Sequence, residues 1–252
     1  MARDSLTDDH LLGGRVIYRQ PRDGFRAAVD PVLLAAAVPA RTGERVLEGG
    51  TGAGAALLCL AARVPGLWGV GIDRDVALTR LAGANARANR WSGLHFVTAD
   101  LAASPIRGVF DHAFANPPYH APDGTPSPLT SREGAKRLTG DLLMLWAEAL
   151  ARPLRHRGTL TFILPPWLLE AALVALRAAH APAELAVPVW PREGRAARWV
   201  LVRGRKNGRA PFALSPGLVL HAGDGSFRPE AEAILRDAAC LDQAPNTSTR
   251  ME

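Results

Sequence analysis

The segment Asn116-Pro117-Pro118-Tyr119 combines residue types suited to activating an amine on an aromatic ring, such as the exocyclic amine of adenine. Such an amine is a poor nucleophile because its lone pair is delocalised into the ring. The side-chain oxygen of Asn116 and the carbonyl of Pro117 can accept hydrogen bonds from it, and the two prolines fix the backbone. Tyr119 offers a flat face on which a base can stack. The segment therefore suits methyl transfer by positioning and polarisation, with Asn116, Pro117 and Tyr119 as catalytic candidates.

The same four residues have a structural interpretation, namely a Pro-Pro turn with an aromatic neighbour. The chemical interpretation is favoured by their position after a predicted strand, behind a glycine loop. If Asn116 acts through its oxygen, the sequence predicts that Asn116→Asp is less damaging than Asn116→Ala, because aspartate keeps an oxygen acceptor at the same reach.

A glycine loop at residues 48–54 follows an apolar run and precedes a helical pattern. Glycines allow a sharp turn and a close approach of a ligand to the backbone. Asp73 and Asp100 follow the next two predicted strands. A carboxylate at the place of Asp73 can accept both hydroxyls of a ribose, and a base could lie beside Asp100. The loop also partly fits the dinucleotide fingerprint of a dehydrogenase, so a nucleoside ligand is predicted without its identity.

The elements that position these residues are short apolar runs that alternate with helical patterns, which predicts an α/β fold. We expect a Rossmann-like, seven-stranded, mostly parallel sheet with an antiparallel terminal hairpin and helices on both faces. The hairpin follows because only about six residues separate its two strands, too few for a parallel crossover. The predicted strands are 45–48, 68–72, 94–98, 109–115, 159–164, 183–190 and 197–203.

Between and beyond these strands the sequence predicts caps, loops and frayed ends. Asp75 is predicted to cap one helix, and Asp30 to cap another whose first residue is Pro31. Residues 119–142 are predicted as a long loop, residues 204–227 as irregular, and residues 1–10 and 242–252 as frayed. Trp167 is predicted to pack in the core or on the sheet.

The composition excludes several classes of protein. Two cysteines rule out a disulfide scaffold, and no histidine or cysteine spacing indicates a metal site. No apolar run is long enough for a transmembrane helix, and the cysteine usage suits the cytoplasm. The formal net charge of +6 favours a polyanionic partner, although an arginine-rich surface need not bind anything. Residues 191–210 carry seven basic residues against one glutamate and are the candidate RNA-contacting segment.

Residues 46–54, Asp73, Asp100 and residues 116–119 together resemble a class I S-adenosylmethionine-dependent methyltransferase of the amino-methylating kind. More closely, residues 11–240 are similar to the bacterial tRNA(Val) adenine-N6 methyltransferases, which modify the adenine next to the anticodon. The stretches 20–37 and 218–235 resemble the opening and the tail of that family. In that family the loop more usually reads Asp-Leu-Gly, where this chain has Glu48-Gly49-Gly50.

The resemblance implies S-adenosylmethionine as cofactor and tRNA as substrate. It implies that Asp73 holds the ribose and Asp100 the adenine of the cofactor, and that Phe25 and Arg26 close over it. The methionine end is assigned by the resemblance to a glutamate and three glycines of the loop, namely Glu48, Gly50, Gly52 and Gly54. It further implies one methyltransferase domain over residues 1–252, with an N-terminal extension at 1–40 over the cofactor and a family-specific tail at 204–252.

Other functions remain open at this point. A glutamine-amide protein methyltransferase uses the same Asn-Pro-Pro-Tyr chemistry, but it usually has an N-terminal helical domain that this chain lacks. A guanine-N2 RNA methyltransferase is a related possibility, and a nicotinamide dehydrogenase is an enzyme of another class. An RNA-binding scaffold with an inactive cofactor fold is the alternative without catalysis. A monomer is favoured.

Overall fold

The central sheet has few exposed residues because helices cover both of its faces, as the alternating sequence pattern requires. A computed structural model describes residues 6–22, 29–103, 106, 108–119 and 132–241. The principal strands of the sheet are β3 (Arg45–Gly49), β4 (Trp68–Asp73), β5 (Leu94–Thr98), β6 (Phe110–Ala115), β7 (Leu154–Leu164), β8 (Ala183–Trp190) and β9 (Trp199–Arg205). The helices are α1 (Asp30–Ala37), α2 (Ala55–Arg63), α3 (Val76–Ala88), α4 (Arg132–Ala151), α5 (Leu169–Ala178) and α6 (Pro229–Asp237).

The strand order is β5-β4-β3-β6-β7-β9-β8, and β9 runs antiparallel to both of its neighbours. The other pairings among these seven strands are parallel. The predicted α/β class, the seven strands and the antiparallel hairpin are therefore confirmed. Two strands of two residues each, β10 (Ala213–Leu214) and β11 (Leu218–Val219), also pair with β8, so the predicted irregular segment adds to the sheet.

The register decides which residues share an edge of the sheet. Gly49 pairs with Ala115, so the glycine loop and Asn116 leave the sheet side by side. The pairs Leu164 with Val200 and Val189 with Trp199 place the β8–β9 turn, residues 191–198, at that same edge. We call this the carboxyl edge, because β3 to β7 end there. The far end of β9 lies at the opposite edge.

Two apolar cores lie on the two faces of the sheet. Phe114 and Ile163 belong to the core shared with α1, α2 and α3, whereas Phe110 and Phe162 belong to the core shared with α4 and α5. All four side chains are at most 2% exposed. Truncating one such phenylalanine to alanine costs about 3–5 kcal/mol. The site is thus carried on strands that are packed from both sides.

Outside the sheet, the predicted frayed N-terminus was wrong for residues 6–10. They belong to β1 (Leu6–Leu11), which forms an antiparallel ribbon with β2 (Val16–Pro21). The side chains of Asn85 on α3 and of Asn89, its C-cap, bond the β2 backbone; for example, the Arg19 amide donates to Asn85 Oδ1 at 3.0 Å. The polar sequence of β1 lacks apolar alternation because none of its residues is fully buried, so the sequence pattern could not reveal the strand.

The predicted long loop was also too long, because α4 begins at Arg132 and occupies nearly half of it. Among the described residues, no helix has both the length and the apolar character needed to span a membrane.

Candidate active site

The glycine loop turns sharply where β3 meets α2, and glycine is required at three of its positions. Gly50, Gly52 and Gly54 have φ values of 65°, 55° and 92°, which L-residues rarely adopt. A Cβ at Gly50 would lie 2.6 Å from the Trp146 ring, whereas one at Gly52 would meet nothing within 4 Å. The loop is therefore packed against Trp146 at Gly50 and is open at Gly52, where a ligand can approach the backbone.

Asp73 joins the end of β4 to this loop. Its Oδ2 accepts from the Gly52 amide at 2.8 Å, and its Oδ1 accepts from the Asp75 amide at 3.0 Å. Each carboxylate oxygen has two lone pairs, so each can still accept one hydroxyl. The half-buried carboxylate can therefore bind a pair of neighbouring hydroxyls while it holds the open part of the loop in place.

Two further aspartates lie at the carboxyl edge. Asp75 caps α3 by accepting from the amides of Ala77 and Leu78, at 2.7 and 3.2 Å, so its predicted role is confirmed. Asp100 follows β5 and is exposed, with Oδ1 accepting from the Ala102 amide at 3.0 Å. The structure thus brings Asp73 and Asp100 to neighbouring strand ends, as predicted.

Glu48 lies beneath the loop and is only 4% exposed. Its Oε2 accepts a hydrogen bond from the Thr51 hydroxyl at 2.5 Å. Burial raises the pKa of Glu48 from 4.5 to about 8, against the opposing effect of the Thr51 hydrogen bond. At neutral pH this carboxyl is therefore mainly protonated, and a cation placed near it would favour its ionisation.

The protonation of Glu48 makes the stability of the protein depend on pH. Between pH 4.5 and about 8 the folded protein keeps a proton that the unfolded chain releases, so the free energy of unfolding falls as pH rises across this window. Glu48→Gln keeps an oxygen for Thr51 but cannot ionise. We therefore compare the free energy of unfolding of the variant with that of the wild type, by urea unfolding at two pH values. The difference in favour of the variant should be larger at pH 8 than at pH 4.5 by roughly 2–4 kcal/mol. An equal difference at the two pH values would contradict the raised pKa.

Asn116 follows β6 directly, and its amide is held by a residue far away in the sequence. Its Nδ2 donates to Oδ2 of Asp30 at 2.6 Å. Asp30 is 6% exposed and is the first residue of α1. The predicted capping role of Asp30 was wrong, since the N-cap is Val29 and no side chain caps this helix. Sequence reasoning found Asn116 but missed its partner, because 86 residues separate the two.

Pro117 is buried and Tyr119 is half-buried beside Asn116. The Tyr119 ring meets the Trp167 ring edge-on, with centroids 6.5 Å apart and an interplanar angle of 85°. Trp167 lies in a short 3₁₀ helix, Pro166–Leu168, that directly follows β7. The half-buried indole packs against the core shared with α4 and α5, as predicted, and at the carboxyl edge it also supports the tyrosine.

Phe25 and Arg26, predicted to close over the cofactor, lie outside the residues that the structure describes. The same holds for residues 120–131.

The basic segment 191–210 divides into two parts with different surroundings. Arg203 and Arg205 both bind Glu184, at 3.1 and 2.6 Å, and Lys206 donates to two backbone carbonyls. Burial lowers the pKa of Arg203 and of Lys206. These residues lie near the opposite edge of the sheet, so their donors serve the fold. The β8–β9 turn, at the carboxyl edge, carries three exposed arginines, Arg192, Arg195 and Arg198.

Comparisons with known proteins agree with this geometry. Residues 28–150 match the family model described as methyltransferase small domain. A relative from Dickeya chrysanthemi, named tRNA1(Val) (adenine(37)-N6)-methyltransferase, is 29% identical over 227 residues, which cover 86% of this chain and 88% of that protein. A release factor glutamine methyltransferase from Rhodospirillum rubrum is 44% identical over 81 residues, which cover 31% of this chain and 24% of that protein.

The fold also matches a solved structure. A protein from Agrobacterium tumefaciens, described as a predicted O-methyltransferase, superposes with a TM-score of 0.70 and 21% identity. The superposition covers 84% of this chain and 98% of that one. At this identity the likeness establishes the fold.

Proposed function

We propose that this chain, whose residues 28–150 match the methyltransferase small-domain model, methylates the N6 amine of an adenine in tRNA with S-adenosylmethionine as the methyl donor. The observation that carries the proposal is the Asn116 amide, which is fixed at the carboxyl edge beside Tyr119 and the glycine loop. The Dickeya chrysanthemi relative supports tRNA(Val) as the substrate and the adenine at position 37, next to the anticodon, as the acceptor. With tRNA as substrate, the enzyme acts in the cytoplasm.

The loop and its aspartates fit S-adenosylmethionine. Asp73 has acceptor capacity for the two ribose hydroxyls, and the open space at Gly52 admits the ligand to the loop backbone. Asp100 lies at the next strand end, where its carboxylate can accept from the adenine amine. Glu48 lies under the loop, where the cofactor's ammonium group would favour the ionised carboxylate. When bound, S-adenosylmethionine supplies an activated methyl group on a positively charged sulfur.

The acceptor half of the site prepares the adenine amine. Asn116 Oδ1 and the Pro117 carbonyl accept hydrogen bonds from its two N–H groups, so its lone pair is less delocalised into the ring and is directed at the methyl carbon. Tyr119 stacks on the base, and Trp167 holds the tyrosine ring edge-on. After the carbon–nitrogen bond forms, the amine loses one proton to water, since none of these groups is a strong base.

The arginines of the β8–β9 turn are placed to bind the tRNA backbone. The ends of β6, β7, β9 and β8 are neighbours, so the turn begins about 15 Å from Asn116 at ordinary strand spacing. The turn carries Arg192, Arg195 and Arg198 against Glu193, and Glu193 is itself paired with Arg228 at 2.8 Å. Exposed guanidinium groups beside the acceptor site can neutralise phosphates of a tRNA whose adenine lies at Asn116.

Removing these three charges is expected to weaken tRNA binding by roughly tenfold or more near 0.1 M salt. Replacing all three arginines with glutamine should also reduce the slope of log K against log salt by about two to three, roughly one per lost phosphate contact. Filter binding over a salt series measures both. The matched control removes three exposed arginines away from the carboxyl edge, in the last turns of α3 and α5 and in the segment after β9, namely Arg87, Arg177 and Arg209. Equal weakening by the two triple variants would show that net charge, and not the turn, sets the affinity.

Methylation of a glutamine side chain is the second candidate function. It is favoured by the 44% identity to the release factor glutamine methyltransferase, although that match covers only 31% of this chain. One experiment separates the two. The enzyme is incubated with S-adenosylmethionine labelled in its methyl group, unmodified tRNA and a release factor. Our proposal expects the label in the RNA fraction, and label confined to protein would replace it with the second candidate.

A further inference from the structure

The contact between Asp30 and Asn116 assigns a direction to the catalytic amide. The oxygen and nitrogen of an asparagine are distinguished by their partners, and a carboxylate can only accept. With Asp30 Oδ2 2.6 Å away, the NH₂ group of Asn116 must face Asp30. The Oδ1 atom then points away from Asp30 and is available to another donor.

Asp30 is held rigidly enough to enforce that direction. It is the first residue of α1, and the next residue, Pro31, has a fixed φ. The next turn of α1 is fully packed, with Leu33 and Leu34 both 0% exposed. A buried carboxylate on a packed helix restricts the amide to one of its two orientations. The charge also draws the amide proton, which leaves more electron density on the amide oxygen.

We infer that Asp30 is a positioning residue for methyl transfer, which holds the Asn116 amide so that Oδ1 faces the acceptor amine. This inference rests on the proposed function, because the acceptor amine is part of it. It also changes the expectation for Asn116→Asp. A second carboxylate at this place would face Asp30 at hydrogen-bond distance, so we expect Asn116→Asp to be about as damaging as Asn116→Ala.

An exchange of the two residues tests the inference. Asp30→Asn combined with Asn116→Asp restores a neutral donor opposite a carboxylate, with one aspartate oxygen left for the amine. We expect Asp30→Ala to lower kcat by roughly tenfold or more, with the KM and Kd for S-adenosylmethionine unchanged. We expect the exchanged double variant to be at least roughly tenfold faster than Asn116→Asp alone, a coupling that independent sites do not show.

Two controls separate positioning from folding. Asp75→Ala removes another aspartate at a helix start and costs stability, but should leave kcat unchanged. In NMR spectra, the side-chain NH₂ signal of Asn116 should shift upfield in Asp30→Ala, whether or not the enzyme is active.

The outcomes are distinct. A normal kcat in Asp30→Ala would overturn the inference. A double variant whose kcat equals the value expected from multiplying the effects of its two single substitutions would overturn it as well. A wild-type enzyme that does not methylate tRNA would overturn the proposed function instead. In that case an unshifted Asn116 signal would overturn the contact as well.

Discussion

Asn116→Ala is expected to slow methyl transfer to tRNA by at least roughly a hundredfold, the scale seen for the loss of one preorganised polar partner. The amide oxygen binds the amine most strongly as the amine becomes pyramidal, so its removal raises the barrier more than it weakens ground-state binding. Affinity for S-adenosylmethionine should hardly change, because Asn116 faces the acceptor. A single-turnover assay with enzyme in excess over tRNA measures the rate, and calorimetry measures the affinity.

A matched asparagine variant controls for this experiment. Asn207 lies at the opposite edge of the sheet with a φ of 54°, which glycine also adopts. Asn207→Gly should therefore methylate at the wild-type rate. A wild-type rate in Asn116→Ala would remove the amide from the mechanism.

Asp73→Ala is expected to weaken S-adenosylmethionine binding by about one to two orders of magnitude. A hydrogen bond to a charged group contributes about 1.5–3 kcal/mol, and this carboxylate is positioned to accept two from a ribose. The variant also releases the Gly52 amide from its partner, so the open part of the loop loses its anchor. Calorimetric titration measures the change.

The control for Asp73 is its neighbour Asp75. The Asp75→Ala variant loses the cap of α3 but keeps the backbone amide that donates to Asp73. It should bind S-adenosylmethionine as the wild type does. Unchanged affinity in Asp73→Ala, or an equal loss in both variants, would remove Asp73 from the cofactor site.

The parts of the fold that the sequence predicted are those with a strong local signal. Strands β5 and β8 have the predicted bounds, because both are apolar runs ended by turn residues. Once the strands are known, parallel pairing brings residues 48–54, Asp73, Asp100 and Asn116 to one edge. The relation between these residues therefore followed from topology, without knowledge of any side-chain contact.

What the sequence did not predict depends on contacts between distant residues. Asp30 has the type and spacing of a helix cap, yet its carboxylate reaches Asn116. Arg203 and Arg205 looked like phosphate ligands, yet both bind Glu184 on the neighbouring strand, a pairing set by strand register. Trp167 reaches Tyr119 only because β7 ends beside β6. Residue type alone cannot distinguish such partners from solvent.

We propose that this enzyme methylates N6 of one adenine in tRNA. The most direct test incubates it with S-adenosylmethionine and unmodified tRNA(Val), then identifies the modified nucleoside by mass spectrometry after digestion. We expect N6-methyladenosine from this tRNA, and none from the same tRNA with guanine in place of the adenine at position 37, the position for which the Dickeya chrysanthemi relative is named. Methylated guanosine, or no methylated nucleoside from a protein that binds S-adenosylmethionine, would contradict the claim.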